Sequence, residues 1–289
     1  AATSEGRALL RQGSPPAIQR ASDVRPALAR AAIAGARLTP AELLAVADTL
    51  EAAGAARRAI REAREPLPRL ARLAEDLVPF PELSREIHRC LAPDGTLLDT
   101  ASPALARLRA GAREARERVR ELLHGLLFAQ RLQPVIAEPI ITLRNDRYVI
   151  PVTPGYRTLL AGVVQDQSAS GHTLFLEPLA AVELNNDIRR LEREADLEAD
   201  RILGELTRAV GAEAVTMGRT LEALADFDLI LAKARLAERW DGAAPKLAAG
   251  GPLRLLAARH PLLLETRWGR SEAVVPIDVG RQLFVDDFL

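Results

Sequence analysis

The sequence is poor in cysteine, lysine and aromatic residues. Cys90 is its single cysteine, so no internal disulfide can form and a cytoplasmic setting is expected. Lys233 and Lys246 are the only lysines. Nearly all positive charge is therefore arginine; base-composition bias is the simpler cause of such usage, and the consequence is that basic sites here are planar forks suited to carboxylate or phosphate. Aromatic residues make up only 3% of the chain, yet both tyrosines, Tyr148 and Tyr156, fall within residues 144–178. No apolar run approaches the roughly 20 residues of a membrane helix. The start, AATSEGRALLRQGSPP, has no apolar signal core; it begins as if in mid-helix and reads as a piece of a longer protein. Charge of neither sign dominates, with 39 basic and 39 acidic residues, so net charge points to no partner. No G-x-x-x-x-G-K-[ST] occurs, which excludes ATP binding by a P-loop within this stretch.

What is present is mostly Arg, Ala, Leu and Glu at helical spacing. With 48% apolar and 27% charged residues, the composition fits a globular chain able to bury a sizeable core. A short helix, a Pro-rich turn at Ser14–Pro16 and a helix around Pro26–Ala34 are expected first. Thr39 as N-cap, Pro40 at the first helical position and Glu42 as partner then open a helix running to about Arg64. Helices over roughly 67–77 and 81–91 follow, and Pro93–Thr96 reads as a turn. Ser102-Pro103 opens the most regular element. Its Leu105, Leu108, Ala112, Ala115, Val119, Leu122, Leu126 and Ala129 alternate in steps of three and four, a heptad seam that predicts a coiled-coil-like arm about 40 Å long. A second long helix is predicted over 180–209, with Leu184, Ile188, Leu191, Ala195, Ile202 and Leu206 on one face. A third, over 212–240, carries Leu221, Leu224, Phe227, Leu231 and Ala234.

Between the first two long helices, Ile140–Leu143, Tyr148–Val152, Gly162–Gln167 and Thr173–Leu176 read as an antiparallel meander of about four short strands. After Asp241–Pro245, a linker, Pro252–Leu256, Ala273–Val279 and Gln282–Val285 read as strands opening a further domain that is cut off. The fold class expected is mainly α: a helical core, long lever-like helices, a small antiparallel β tip, and the start of an α/β domain.

Several chemistries are weighed and set aside. Asp166, Ser168 and His172 are the residue types of a nucleophilic triad, but three members within one hairpin rarely converge and the serine lacks a strand-turn-helix elbow. Turn chemistry explains them better, with Ser170 and Gly171 at the bend and Asp166 and Gln167 bonding local backbone. His88 and Cys90 lack a second ligand pair at metal spacing, and Asp286 and Asp287 have nothing paired to them. Nucleic-acid binding stays open. Arg144, Arg147, Arg157, Gln167, Ser168, Ser170 and His172 are phosphate-compatible donors in or beside the turns of the β tip, and Tyr148 and Tyr156 have faces for stacking. The tip is nearly neutral, with three Arg in residues 138–178 against Glu138, Asp146, Asp166 and Glu177. The first arm is more basic, with seven Arg against three Glu over residues 104–131.

The tip and its exit helix, RYVIPVTPGYRTLLAGVVQDQSASGHTLFLEPLAAVELNNDIRRLE, closely resemble the MutS family, in particular its second, anti-recombination bacterial branch. Asp23–Leu28 and Leu43–Leu50 resemble that branch's early helical core. Phe227–Arg235 resembles its re-entering helix, and Ala258–Leu262 the segment that opens its ATPase domain. The resemblance implies a helical core over 1–101 and 212–250, lever helices over 102–137 and 180–211, a β clamp over 138–179 and the beginning of an ATPase domain over 251–289. It also implies a homodimer that closes around branched DNA and limits recombination. ATP and Mg would be held by the full-length parent and no cofactor by this stretch; an ATPase and a Smr-type endonuclease domain are expected beyond residue 289. Nothing here resembles the mismatch-reading wedge of the classical branch, and no catalytic residue is carried over. Ribosomes and ribosomal RNA are alternative partners, and a module that only dimerises is the structural alternative.

Overall fold

Proline opens five of the helices, at Pro40, Pro68, Pro81, Pro103 and Pro261. Its fixed φ suits the first helical turn, where its missing N–H would have had no partner. A computed structural model describes residues 2–13, 18, 20–246, 252–266 and 274–281. In chain order the elements are α1 (Ala2–Arg11), α2 (Arg25–Ala31), α3 (Pro40–Arg61), α4 (Pro68–Asp76), α5 (Pro81–Cys90), α6 (Pro103–Leu127), β1 (Thr142–Arg144), β2 (Arg147–Val152), β3 (Gly162–Gln167), β4 (Leu174–Pro178), α7 (Leu179–Ala212), α8 (Ala214–Arg239), β5 (Leu253–Ala258), α9 (Pro261–Thr266) and β6 (Ile277–Arg281). The chain is mainly α with a small antiparallel sheet. Among the described residues no helix is long and apolar enough to cross a membrane.

Two compact units divide the chain. The first comprises residues 1–21, 49–80 and 215–289. Its core gathers Leu9, Ala53, Ala56, Leu70, Leu77, Phe227 and Leu231 from α1, α3, α4 and α8. α4 has no side-chain cap of its own; the Glu5 carboxylate of α1 accepts the N–H groups of Arg69 and Leu70, both at 2.9 Å. β5 and β6 pair antiparallel. The third strand expected in this tail, 282–285, lies outside the described residues, as do Asp286, Asp287 and the Pro-rich turn at 14–16.

The second unit, residues 22–48 and 81–214, carries the sheet. Thr39 and Glu42 form the expected capping box: the Thr39 N–H donates to Glu42 at 2.9 Å and the Glu42 N–H to the Thr39 hydroxyl at 3.3 Å. Ser102 caps α6 by accepting the Leu105 N–H at 3.0 Å, and its own hydroxyl donates to Glu198 of α7 at 2.7 Å. α6 and α7 run antiparallel, since Ser102 meets Glu198 and Arg116 meets Glu192 further along. At 25 and 34 residues they are about 37 and 50 Å long. Near its end α7 packs against α2. The Leu38 N–H donates to Thr207 at 3.0 Å, and a Cβ on Gly211 would come within 2.2 Å of the Ala31 carbonyl oxygen.

The seam of α6 departs from the heptad. Leu105, Ala112, Ala115 and Val119 are buried as expected, but beyond Val119 the buried positions are Leu123 and Leu127, with Leu122 and Leu126 only half-buried. Steps of four replace the alternation because this half of the helix also meets the sheet, and a straight 3.6-residue helix drifts off a 3.5 repeat. The helix ends at Leu127, so Ala129 lies outside it.

The sheet is antiparallel throughout, but its order is β1-β2-β4-β3 and not the expected meander. After β2 the short 3-10 segment Pro154–Thr158 carries the chain past the next position, and β4 returns into the gap. Burial explains the choice. Leu176 and Glu177 of β4 are buried, while Val163 and Val164 of β3 are 48% and 39% exposed. The apolar strand thus takes the interior and the polar-rich Gly162–Gln167 segment takes an edge. Gly162 permits the close pairing, since a Cβ there would lie 2.5 Å from the Glu177 carbonyl oxygen. One core joins α6, α7 and the sheet through Val119, Leu123, Ile150, Leu176 and Ile188.

Candidate nucleic-acid interface

The foot of the sheet is a buried polar latch. β2 pairs with β4 in the register Ile150↔Leu176. Two residues further along, Tyr148 would face Pro178, which has no N–H, at the point where the chain turns into α7. Asn185 of α7 takes over there. Its side-chain oxygen accepts the Tyr148 N–H at 3.0 Å and its amide donates to the Tyr148 carbonyl at 3.1 Å. The same amide donates to Glu177 at 2.9 Å, and Glu177 also accepts from Arg147 at 2.6 Å and Gln165 at 2.7 Å. Arg147 spans to Asn186 with its second nitrogen, at 2.7 Å. Glu177 and Asn185 are each 1% exposed, so a full set of partners is what keeps them from being a liability.

Beside the latch, Asn145 and Asp146, with φ of 50° and 57°, make the two-residue hairpin turn joining β1 to β2, in the left-handed region that Asn and Asp tolerate. The other end of the sheet, where Val152 pairs with Leu174, carries the loop from β3 to β4. The loop from β3 to β4 closes through Ser168 N–H to Thr173 O at 2.9 Å and Thr173 N–H to the Ser168 hydroxyl at 3.1 Å. Gly171, at φ +75°, supplies the bend.

The expected contact residues fall into separate groups. Gln167 at the end of β3 and Ser168, Ser170 and His172 in the β3–β4 loop lie together, and all but the half-buried Ser168 are exposed. Gln167 donates its backbone N–H to Asp166 at 2.8 Å, and the two serine hydroxyls lie 3.3 Å apart. Arg144 lies over the Phe175 ring at 4.1 Å and pairs with Asp166 at 3.2 Å. Arg147 and Tyr148 belong to the latch, and Arg120 of α6 sits 5.6 Å from the centre of the Tyr148 ring. Arg157 falls in the 3-10 segment, and its side chain lies outside the described ones.

Tyr156, expected as a second stacking face, is 5% exposed and part of the core beneath the sheet; burial leaves no face for a base. Asp166, Ser168 and His172 form no relay, since Asp166 serves Arg144 and Ser168 serves its own turn. Cys90 is buried, and burial pushes its thiol up from the usual range. His88, two residues away on the same helix and so on another side of it, lies 3.7 Å from Asp48.

Inspection of the residue pattern alone misses Glu177, Asn185 and the α7 arginines Arg189, Arg190 and Arg193. One signal was available: two successive asparagines, Asn185 and Asn186, inside a long helical pattern are poor helix formers and call for a side-chain role.

No family model matches the chain. Curated relatives do. The chain is 42% identical over 277 residues, 96% of its length, to the Endonuclease MutS2 of Pelotomaculum thermopropionicum, and covers 34% of that protein. It is 42% identical over 264 residues to the Endonuclease MutS2 of Geobacillus thermodenitrificans, 90% of this chain and 34% of that one. To that of Halalkalibacterium halodurans it is 36% identical over 283 residues, 96% of this chain and 35% of the relative. The chain thus spans about a third of the length of the curated relatives it matches. Likeness sustained along nearly the whole chain, through the tip and latch sequences that first suggested the resemblance, means that the chain belongs to the MutS2 branch of the MutS family.

Proposed function

We propose that this chain is the nucleic-acid-binding core, lever and clamp region of a dimeric, ATP-dependent DNA-binding protein that recognises branched DNA and suppresses homologous recombination. Residues 1–101 and 212–250 act as core, 102–137 and 180–211 as levers, 138–179 as the clamp, and 251–289 open the ATPase domain. The observation that carries the reading is the four-stranded sheet set between two antiparallel helices and latched to α7 by buried polar groups. A sheet held this way moves with its helices as one lever, and its exposed loop of Gln167, Ser170 and His172 is left free to meet a backbone. ATP and Mg belong to the whole protein, as does the cutting implied by its relatives' name. The working compartment is the cytoplasm.

Anisotropy titrations of this chain with a four-way DNA junction and with linear duplex, at several salt concentrations, test the reading. Tighter binding to the junction is the expected result. Equal affinities overturn branch selectivity, and no binding to either overturns DNA as the partner. A parallel titration with ribosomes decides whether ribosomal RNA is the better target, and light scattering with and without DNA checks the dimer.

A further inference from the structure

We infer that the pocket where the start of β2 meets α7 binds a backbone phosphate, with Arg189 and Arg193 as its principal ligands. The pocket is lined by Arg147, Asn186, Asp187, Arg189, Arg190 and Arg193. On α7, positions 186, 189, 190 and 193 follow the i, i+3, i+4, i+7 pattern of a single face.

Two of the four guanidiniums are already fixed. Arg147 is held by Glu177 and Asn186 at 2.6 and 2.7 Å, and Arg190 by Asp187 and Glu194 at 3.1 and 3.2 Å. Among the described residues, the side chains of Arg189 and Arg193 make no ion pair or hydrogen bond. The carboxylates nearest the other two arginines, Glu177, Asp187 and Glu194, are each committed to Arg147 or Arg190. On their other side Arg189 and Arg193 border Asp146, Glu192 and Asp196, of which Glu192 is paired with Arg116 and none forms an ion pair with either arginine. The two guanidiniums free to turn toward a ligand are therefore those of Arg189 and Arg193. A guanidinium fork matches the two free oxygens of a phosphodiester, and neighbours that are already fixed lose little freedom when the ligand arrives.

The inference rests on the proposed nucleic-acid function and sharpens it: the main electrostatic contact lies at the foot of the sheet, not at its loop. Arg189→Ala/Arg193→Ala removes the two ligands and leaves the latch intact. Alanine is a strong helix former, and circular dichroism of the variant should match the parent. With the parent chain bound to a four-way DNA junction, the expected result is a loss of roughly tenfold in affinity at moderate salt. The slope of log affinity against log salt should fall by about one to two units. Arg189→Lys/Arg193→Lys should keep that slope, because the charge remains.

A parent that binds while the alanine variant matches it in affinity and slope overturns this inference and leaves the proposed function standing. A parent that binds no nucleic acid overturns both. The same titrations on a four-way RNA junction identify which nucleic acid supplies the phosphate, by where the larger loss falls. A loss on either supports the site.

Discussion

The foot of the sheet and its free loop use similar residue types in opposite ways. At the foot, Glu177 and Asn185 are each 1% exposed and all four of their side-chain polar atoms are paired, with partners drawn from β2, β3 and α7. At the loop, Gln167, Ser170 and His172 are exposed, and the hydrogen bonds join residues within a few positions of one another. Polar groups withdrawn from water have no substitute for their partners, so the foot tolerates a single arrangement. Polar groups facing water can exchange it for a ligand at little expense. Stability is therefore concentrated at one end of the sheet and adaptability at the other.

Removing the hub of the latch should produce the largest effect. Glu177→Ala leaves Arg147, Gln165 and Asn185 without their common acceptor, and breaking a buried ion pair from one side costs about 3 kcal/mol or more. A guanidinium unfolding curve and hydrogen exchange at the Tyr148 amide would both record it. A change below about 1 kcal/mol would mean that the foot behaves like an ordinary surface pair. Asn185→Ala comes next, at about 2 kcal/mol, because both backbone groups of Tyr148 lose their partner at the end of β4. Its exchange signature should be confined to the β2 end of the sheet.

How far these features were legible follows from their range along the chain. The Thr39–Glu42 capping box and the Ser102 cap are contacts within three residues, and sequence spacing locates both. The four strands are likewise visible as β-branched segments. Their order is not, because β2 pairs with a strand more than twenty residues further on. That choice turns on which segment can lose water on both sides. Leu122 and Leu126 were misplaced on the seam because a heptad assumes a single helical partner, whereas this end of α6 has a sheet as well. Asn185 was hidden by its neighbours: Leu184 and Ile188 satisfy the apolar stripe by themselves, so nothing in the periodicity demands that the asparagine between them face inward.

The Ser102–Glu198 contact lies on the same helix pair, away from the sheet, and tests whether paired polar groups there matter less. Ser102→Ala should cost about 1 kcal/mol through the lost cap. The Arg201 guanidinium, and after it the Ser102 hydroxyl, hold the Glu198 carboxyl at about 2, below its usual 4.5. A carboxyl depressed in the folded state stabilises fully above its unfolded value, and the contribution fades as pH falls toward the folded one. The gap between the parent and Glu198→Gln should therefore be complete above pH 4.5 and vanish near pH 2. Because Arg201 is 49% exposed, solvent screens the pair and the gap should stay under about 1 kcal/mol. A gap that persists at pH 2 would place its origin in packing and not in charge.

The smallest effect belongs to the loop. Ser170→Ala and His172→Ala remove exposed side chains, so stability should move by less than about 0.5 kcal/mol. Affinity for a four-way junction should fall by roughly twofold, the equivalent of a few tenths of a kcal/mol. The turn itself should survive, since the Ser168–Thr173 bonds and the left-handed Gly171 that define it are untouched. Urea titration and the junction assay read the two quantities separately. Loss of stability without loss of binding would reverse the contrast between foot and loop, because it would make the loop a structural element. A tenfold loss of binding at unchanged stability would instead move the main nucleic-acid contact from Arg189 and Arg193 to the loop, and the electrostatic centre of the clamp with it.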